Sequence, residues 1–260
     1  MSYQVAILCG GLGTRLREET EIKPKPMVAI GGRPILWHIM NIYAAHGFKD
    51  FILCLGYKGE VIREYFLNYK LQNADTRVNL RTGAVEIVSR EAELPDWTVT
   101  LVDTGIDSYT GTRLARILPY IRGDRFLATY GDGVADVDLK GLVEVHEQSG
   151  KLATVTAVHP SSRFGELSLT GDAVKNFVEK PQVDQGWING GFFVFEKSVF
   201  DHGPPGNFSL EGGLLERIAS EHQLGVHRHN GFWQCMDTFR EMQLLNQMWD
   251  EGRAKWKVWS

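Results

Sequence analysis

Two stretches of the chain carry residues whose types and spacing suit phosphate chemistry. The first is Gly10-Gly11-Leu12-Gly13-Thr14-Arg15-Leu16, directly after the apolar run Gln4–Leu8. Glycines there let the backbone approach a ligand closely and turn its N–H groups inward, making a nest for an anion. Arg15 adds a planar fork that takes phosphate oxygens in pairs. The second stretch is Lys23-Pro24-Lys25-Pro26, two cations on a backbone that proline restricts. No Gly-Lys-Ser/Thr closes the glycine run, so it is not a P-loop, and no third glycine completes a dinucleotide fingerprint.

Two carboxylates complement these cations. Asp132 stands between Gly131 and Gly133 after the apolar run Phe126–Tyr130, and Asp237 follows Trp233-Gln234-Cys235-Met236. A carboxylate at the end of a parallel strand lies where open α/β sheets bind ligands. Mg²⁺ takes one or two such carboxylates and completes its octahedron with water and substrate phosphates. Read locally, Asp132-Gly133 is also a turn signal, and Asp237-Thr238 also an N-cap for a helix over 240–249.

The elements that must position these groups read as an α/β fold. Apolar runs predict strands at Gln4–Leu8, Phe51–Leu55, Val99–Val102, Phe126–Tyr130, Ala153–Val158 and Ile188–Phe195. Helical spacing predicts helices at Ile35–His46, Glu60–Tyr69, Leu214–Glu221 and Met242–Gly252. The strand, glycine turn, helix order implies a Rossmann-like, mostly parallel mixed sheet flanked by helices. Small antiparallel insertions are expected, with a hairpin at Val85–Ser89 and turn-separated strands over Ser161–Val178. The 260 residues read as one domain, 1–260, with insertions near 73–97 and 198–230.

Composition narrows the classes of function. A net charge of −4 argues against a general nucleic-acid binder. No window is apolar enough to span a membrane, and the N-terminus does not read as a signal peptide. Three cysteines, Cys9, Cys54 and Cys235, have neither metal nor redox spacing. They predict free thiols in a reducing, cytoplasmic setting.

Taken in order, GGLGTRL, KPKPM and Gly31-Gly32-Arg33-Pro34-Ile35-Leu36 resemble the sugar-nucleotide pyrophosphorylases, which join a nucleotide to a sugar 1-phosphate. The continuation Trp37-His38-Ile39-Met40 is close to the glucose-1-phosphate cytidylyltransferase branch, a resemblance that runs from residue 5 to the Trp256–Trp259 tail. It implies a Mg²⁺-dependent transfer from CTP to a sugar 1-phosphate, with Asp132 and Asp237 as metal ligands. It implies that Leu8, Gly10, Gly11, Leu12, Gly13, Thr14, Arg15, Lys25, Ser108, Arg113 and Gly131 bind the nucleotide, Arg113 through cytosine O2. It assigns Gly165, Glu179, Lys180, Asn189 and Gly190 to the sugar phosphate. Arg15, Lys25 and Lys180 then carry the chemistry: the acceptor phosphate is already anionic, so charge neutralisation replaces a general base. A homo-oligomer, up to a hexamer, is also implied. Ser209-Leu210-Glu211 stands where that branch usually has Trp-Glu, which leaves the sugar open; within the class, another sugar or phosphonate acceptor, or UTP or dTTP, is the alternative. A non-catalytic paralogue that binds nucleotide sugars is the alternative from a different class.

Overall fold

The fold is that of a computed structural model, which describes residues 3–88, 94–160, 166–170, 173–178 and 186–260. Its centre is a seven-stranded sheet in the order Leu224–His229, Ala153–Val158, Ile188–Glu196, Arg125–Tyr130, Val5–Leu8, Asp50–Leu55, Thr98–Asp103. Ile188–Glu196 runs antiparallel to both neighbours, and every other pairing is parallel. The sheet is mixed and mostly parallel, as the apolar runs predict.

The strand Val5–Leu8, with a neighbour on each side and both faces covered, holds no polar side chain. In Val5–Leu8 the alternation sends Val5 and Ile7 to one core, with Phe51, Leu53 and helix Ile35–Ala45. Ala6 and Leu8 go to the other, with Ile52, Phe126, Phe193 and Leu114 of helix Thr110–Ile117. Each fully buried Leu, Ile or Phe contributes about 1.5–3 kcal/mol, so these two layers fix the sheet and hence its loops.

Several boundaries differ from those the sequence suggests. Helix Phe239–Asp250 begins three residues before Met242, because Thr238 accepts from the Glu241 N–H and the Glu241 side chain accepts in return from the Thr238 N–H. The segment expected to turn helical at Leu214 winds earlier, as a π turn over Leu210–Leu215 capped by Ser209, and then continues as helix Glu216–Ser220. The hairpin pairs Thr76–Val78 with Val85–Ile87. Glu166–Thr170 pairs antiparallel with Ala173–Val178. Within 198–230, Leu224–His229 forms the outer strand of the main sheet.

One small element matters most for the site. Gly133–Ala135 pairs antiparallel with Trp233–Cys235, Cys235 opposite Gly133, and the Met236 N–H donates to the Asp132 carbonyl at 2.8 Å. Asp132 and Asp237 therefore stand at the same end of one two-stranded ribbon. Asp138 caps helix Leu139–Ser149 by accepting from the Gly141 N–H at 3.0 Å, and Asp136, outside the helix, accepts from the Phe232 N–H at 2.6 Å.

Candidate active site

The carboxyl ends of Val5–Leu8, Thr98–Asp103 and Arg125–Tyr130 open onto a cleft of about 710 Å³. Its lining includes Leu8, Gly10 to Arg15, Lys25, Ser108, Arg113, Gly131 and Asp132. All the residues assigned to the nucleotide by resemblance thus meet in one cavity, of a size suited to a small-molecule ligand. Gly131 has a steric reason for its type: a Cβ there would stand 2.7 Å from the Leu8 carbonyl oxygen and 2.8 Å from Pro26 Cγ.

On the floor of the cleft, charge is concentrated. Lys25 Nζ donates to Asp132 Oδ2 at 2.7 Å and to Asp237 Oδ1 at 2.5 Å. Arg15 Nη1 pairs with Asp237 Oδ2 at 2.9 Å while its side chain stays 68% exposed to the cleft. Burial works against the Lys25 ammonium more than any other single influence, but the two carboxylates together outweigh it and hold its pKa above the ordinary lysine value. Asp237 is likewise penalised first by burial, yet Lys25 and Arg15 hold it below the ordinary carboxylate value. Both groups are ionised throughout the neutral range.

That convergence tests whether the residues fit a metal. Two carboxylates from distant parts of the chain already point at one cationic atom, and Lys25 Nζ stands in for a small cation between them. Among the described residues no group of three or more His, Cys, Asp or Glu could hold a metal. A two-carboxylate seat open to a cleft suits a hard divalent cation that keeps phosphate and water ligands.

A second cleft of about 300 Å³ adjoins the first and shares Arg15, Tyr130 and Asp132 with it. Asn189 and Gly190, expected on the sugar side, line it with Trp233, Cys235 and Asp237. Trp233 Nε1 donates to the Gly190 carbonyl at 2.8 Å, tying the carboxylate ribbon to the Ile188–Glu196 strand. Burial pushes the Cys235 thiol up to about 12, so it stays protonated there. Gly165, Glu179 and Lys180 lie outside the described residues.

Arg113 does something the sequence did not suggest. It is buried, and its Nη atoms donate to the carbonyls of Gly10, Leu55, Gly105 and Ile106 and to Thr104 Oγ1, at 2.7 to 3.1 Å. Its fork thus ties the glycine loop to the 104–106 turn. Next to it, Ser108 Oγ donates to the Thr104 carbonyl at 2.5 Å and accepts from Arg116 Nη1 at 2.9 Å. Sequence reading also passed over Tyr130, although its place just before Gly131, at a strand's carboxyl end, was a usable signal.

Comparison with known proteins bears on this geometry. Residues 4–234 match the family model described as nucleotidyl transferase. The chain belongs to that family. It is 49% identical to the glucose-1-phosphate cytidylyltransferase of Salmonella typhimurium over 257 residues, 98% of this chain and 99% of the relative. It is 44% identical to a probable glucose-1-phosphate cytidylyltransferase of Bacillus subtilis, over 98% of this chain and 100% of that one. Among solved structures, HddC from Yersinia pseudotuberculosis matches with a TM-score of 0.66 at 22% identity, covering 95% of this chain and 99% of that one. A putative glucose-1-phosphate thymidylyltransferase from Bacillus anthracis also matches at 0.66, with 18% identity, over 98% of this chain and 96% of that one. These two likenesses show that this nucleotidyl transferase shares their fold.

Proposed function

We propose that the chain transfers the cytidylyl group of CTP to α-D-glucose 1-phosphate, giving CDP-glucose and pyrophosphate. The observation that carries the reading is the meeting of Arg15, Lys25, Asp132 and Asp237 on the floor of a glycine-lined cleft. The near-full-length likeness to glucose-1-phosphate cytidylyltransferases supports the choice of base and sugar.

An oxygen of the sugar 1-phosphate attacks the α-phosphorus in line, the new P–O bond forms, and the bond to pyrophosphate breaks. The attacking oxygen already carries negative charge, so no proton needs to be removed. Arg15, exposed to the cleft, binds the β- and γ-phosphates. Lys25 meets the α-phosphate, where charge rises most in the transition state, and Lys180 holds the acceptor phosphate. Asp132 and Asp237 are the residues that would hold Mg²⁺, which when bound neutralises phosphate charge. The glycine loop's N–H groups and backbone near Leu8–Gly10 bind phosphate and base, with Asn189 and Gly190 beside the hexose.

Pyrophosphate release with four nucleoside triphosphates, each crossed against a panel of sugar 1-phosphates, tests the reading. CTP with glucose 1-phosphate is expected to give the highest kcat/KM. Comparable values for UTP overturn the cytidylyl assignment, another preferred sugar overturns the glucose one, and binding without turnover points to a non-catalytic paralogue. The same reading includes a homo-oligomer. Light scattering at the mass of a single chain overturns it. Among the described residues no helix is long and apolar enough to cross a membrane. Three free cysteines support a reducing, cytoplasmic setting.

A further inference from the structure

Tyr130 is the wall between the two clefts, and lines both. Its ring meets Phe193 edge-on at 5.8 Å. It also lies against Gly191, where a Cβ would come 2.6 Å from Tyr130 Cδ2 and the φ is +82°. The phenol stands in a directed line of hydrogen bonds. Asn189 Nδ2 donates to Tyr130 Oη at 3.3 Å, and Tyr130 Oη donates to Glu211 Oε1 at 2.5 Å. The other oxygen, Glu211 Oε2, accepts from Thr110 Oγ1 at 2.8 Å. At the sugar end, Asn189 Oδ1 accepts from the Gly191 N–H at 2.8 Å. At the base end, Thr110 opens helix Thr110–Ile117, which carries Arg113.

We propose that Glu211 and Tyr130 are positioning residues that couple the two halves of the site, so that nucleotide and sugar 1-phosphate each tighten the binding of the other. The inference rests on the reading of the clefts given above. The chemistry of the link is specific. A carboxylate can accept at both oxygens at once, from Thr110 and from Tyr130, whereas an amide offers one acceptor and one donor. A ligand that orders Asn189 fixes the phenol, the phenol fixes Glu211, and Glu211 fixes the turn beside the base. Coupling of this kind is reciprocal by linkage.

Titration calorimetry with the α,β-methylene analogue of CTP, which cannot expel pyrophosphate, tests this in the presence of Mg²⁺. Its affinity is measured with and without saturating glucose 1-phosphate, for the wild-type protein, Tyr130→Phe, Glu211→Gln and the double variant. In the wild type the sugar phosphate is expected to tighten the analogue about 5-fold or more. In either single variant that factor, the ratio of the two affinities, falls to near 1. The double variant is no worse than the singles, as for members of one network. Tyr130→Phe keeps the ring packing, so unchanged thermal melting guards against a folding defect. A wild-type factor of 1, or an undiminished factor in both single variants, overturns the coupling and leaves the nucleotide reading intact. Failure of the analogue to bind the wild type overturns both.

Discussion

An ammonium held between two carboxylates keeps its charge at neutral pH, and in the proposed function it exchanges those partners for phosphate. Lys25 is in that position, with Asp132 and Asp237 as its partners. If its main contact is made with the α-phosphate in transit, losing it removes transition-state stabilisation rather than ground-state affinity. Lys25→Ala is therefore expected to lower kcat by about 10²–10³-fold with a much smaller change in KM for CTP. Steady-state kinetics check this, and a rise in KM at constant kcat makes Lys25 an anchor instead. Arg113 gives a contrasting case. Burial pulls its pKa down from the ordinary arginine value, and the guanidinium satisfies backbone carbonyls rather than facing a carboxylate. Lysine keeps the charge but cannot fork to carbonyls on both sides. Arg113→Lys is expected to cost at least about 2 kcal/mol in urea unfolding, because buried acceptors are left unpaired. It should weaken CTP and UTP alike, since it acts through the loop that both must use.

The Thr238 cap is a small element with a role at the site. Glu241 Oε2 accepts from the N–H groups of Asp237 and Thr238, at 2.7 and 2.8 Å, so one carboxylate both starts a helix and fixes the backbone of Asp237. Thr238→Ala is expected to cost about 1 kcal/mol in stability. It should also lower kcat, because Asp237 loses its register; urea titration and turnover on the same sample separate the two effects. This cap was legible in the sequence as Asp237-Thr238, and so were the strands Val5–Leu8 and Asp50–Leu55, since burial on both faces leaves an unbroken apolar run. The strand Leu224–His229 was not. It lies at the sheet's edge, where Leu-Gly-Val-His-Arg-His holds a glycine and three polar residues in a row, and so offers neither an apolar run nor a strict alternation. The ribbon of Gly133–Ala135 and Trp233–Cys235 escaped for another reason: three-residue strands hold no period, and their partner is distant in sequence. Within the site, charged and glycine positions could be read because phosphate chemistry demands those types. The bond from Tyr130 to Glu211 spans 81 positions and has no local pattern to betray it.

At the scale of the whole molecule, the C-terminal tail is fastened to the core through His38. Its Nε2 lies 2.8 Å from the Ile30 carbonyl and must donate to it, which leaves Nδ1 to accept from Trp256 Nε1 at 3.3 Å. The ring is enclosed by Trp37, Trp249, Trp256 and Trp259. A second proton would set two donors face to face in an apolar cage, and burial accordingly brings the His38 pKa down from 6.5 to about 4. The folded state therefore binds fewer protons than the unfolded state between those values, so stability falls as pH drops from 6.5 toward 4. The loss amounts to about 3 kcal/mol across that window. His146 and His227 are shifted in the same direction, so the test is a comparison. Urea midpoints from pH 7 to 4.5 should fall less steeply in His38→Gln than in the wild type. The two carboxylates on the ribbon also have a consequence for synthesis. Asp132 and Asp237 are about a hundred residues apart, and a ribosome adding 5–20 residues per second needs roughly 5–20 s to travel from one to the other. Throughout that interval a nascent chain holds the glycine loop, Lys25 and one carboxylate, but not the strand that brings the second. The two-carboxylate seat therefore forms only after Trp233–Cys235 is made, and a product of earlier termination carries the glycine loop without it.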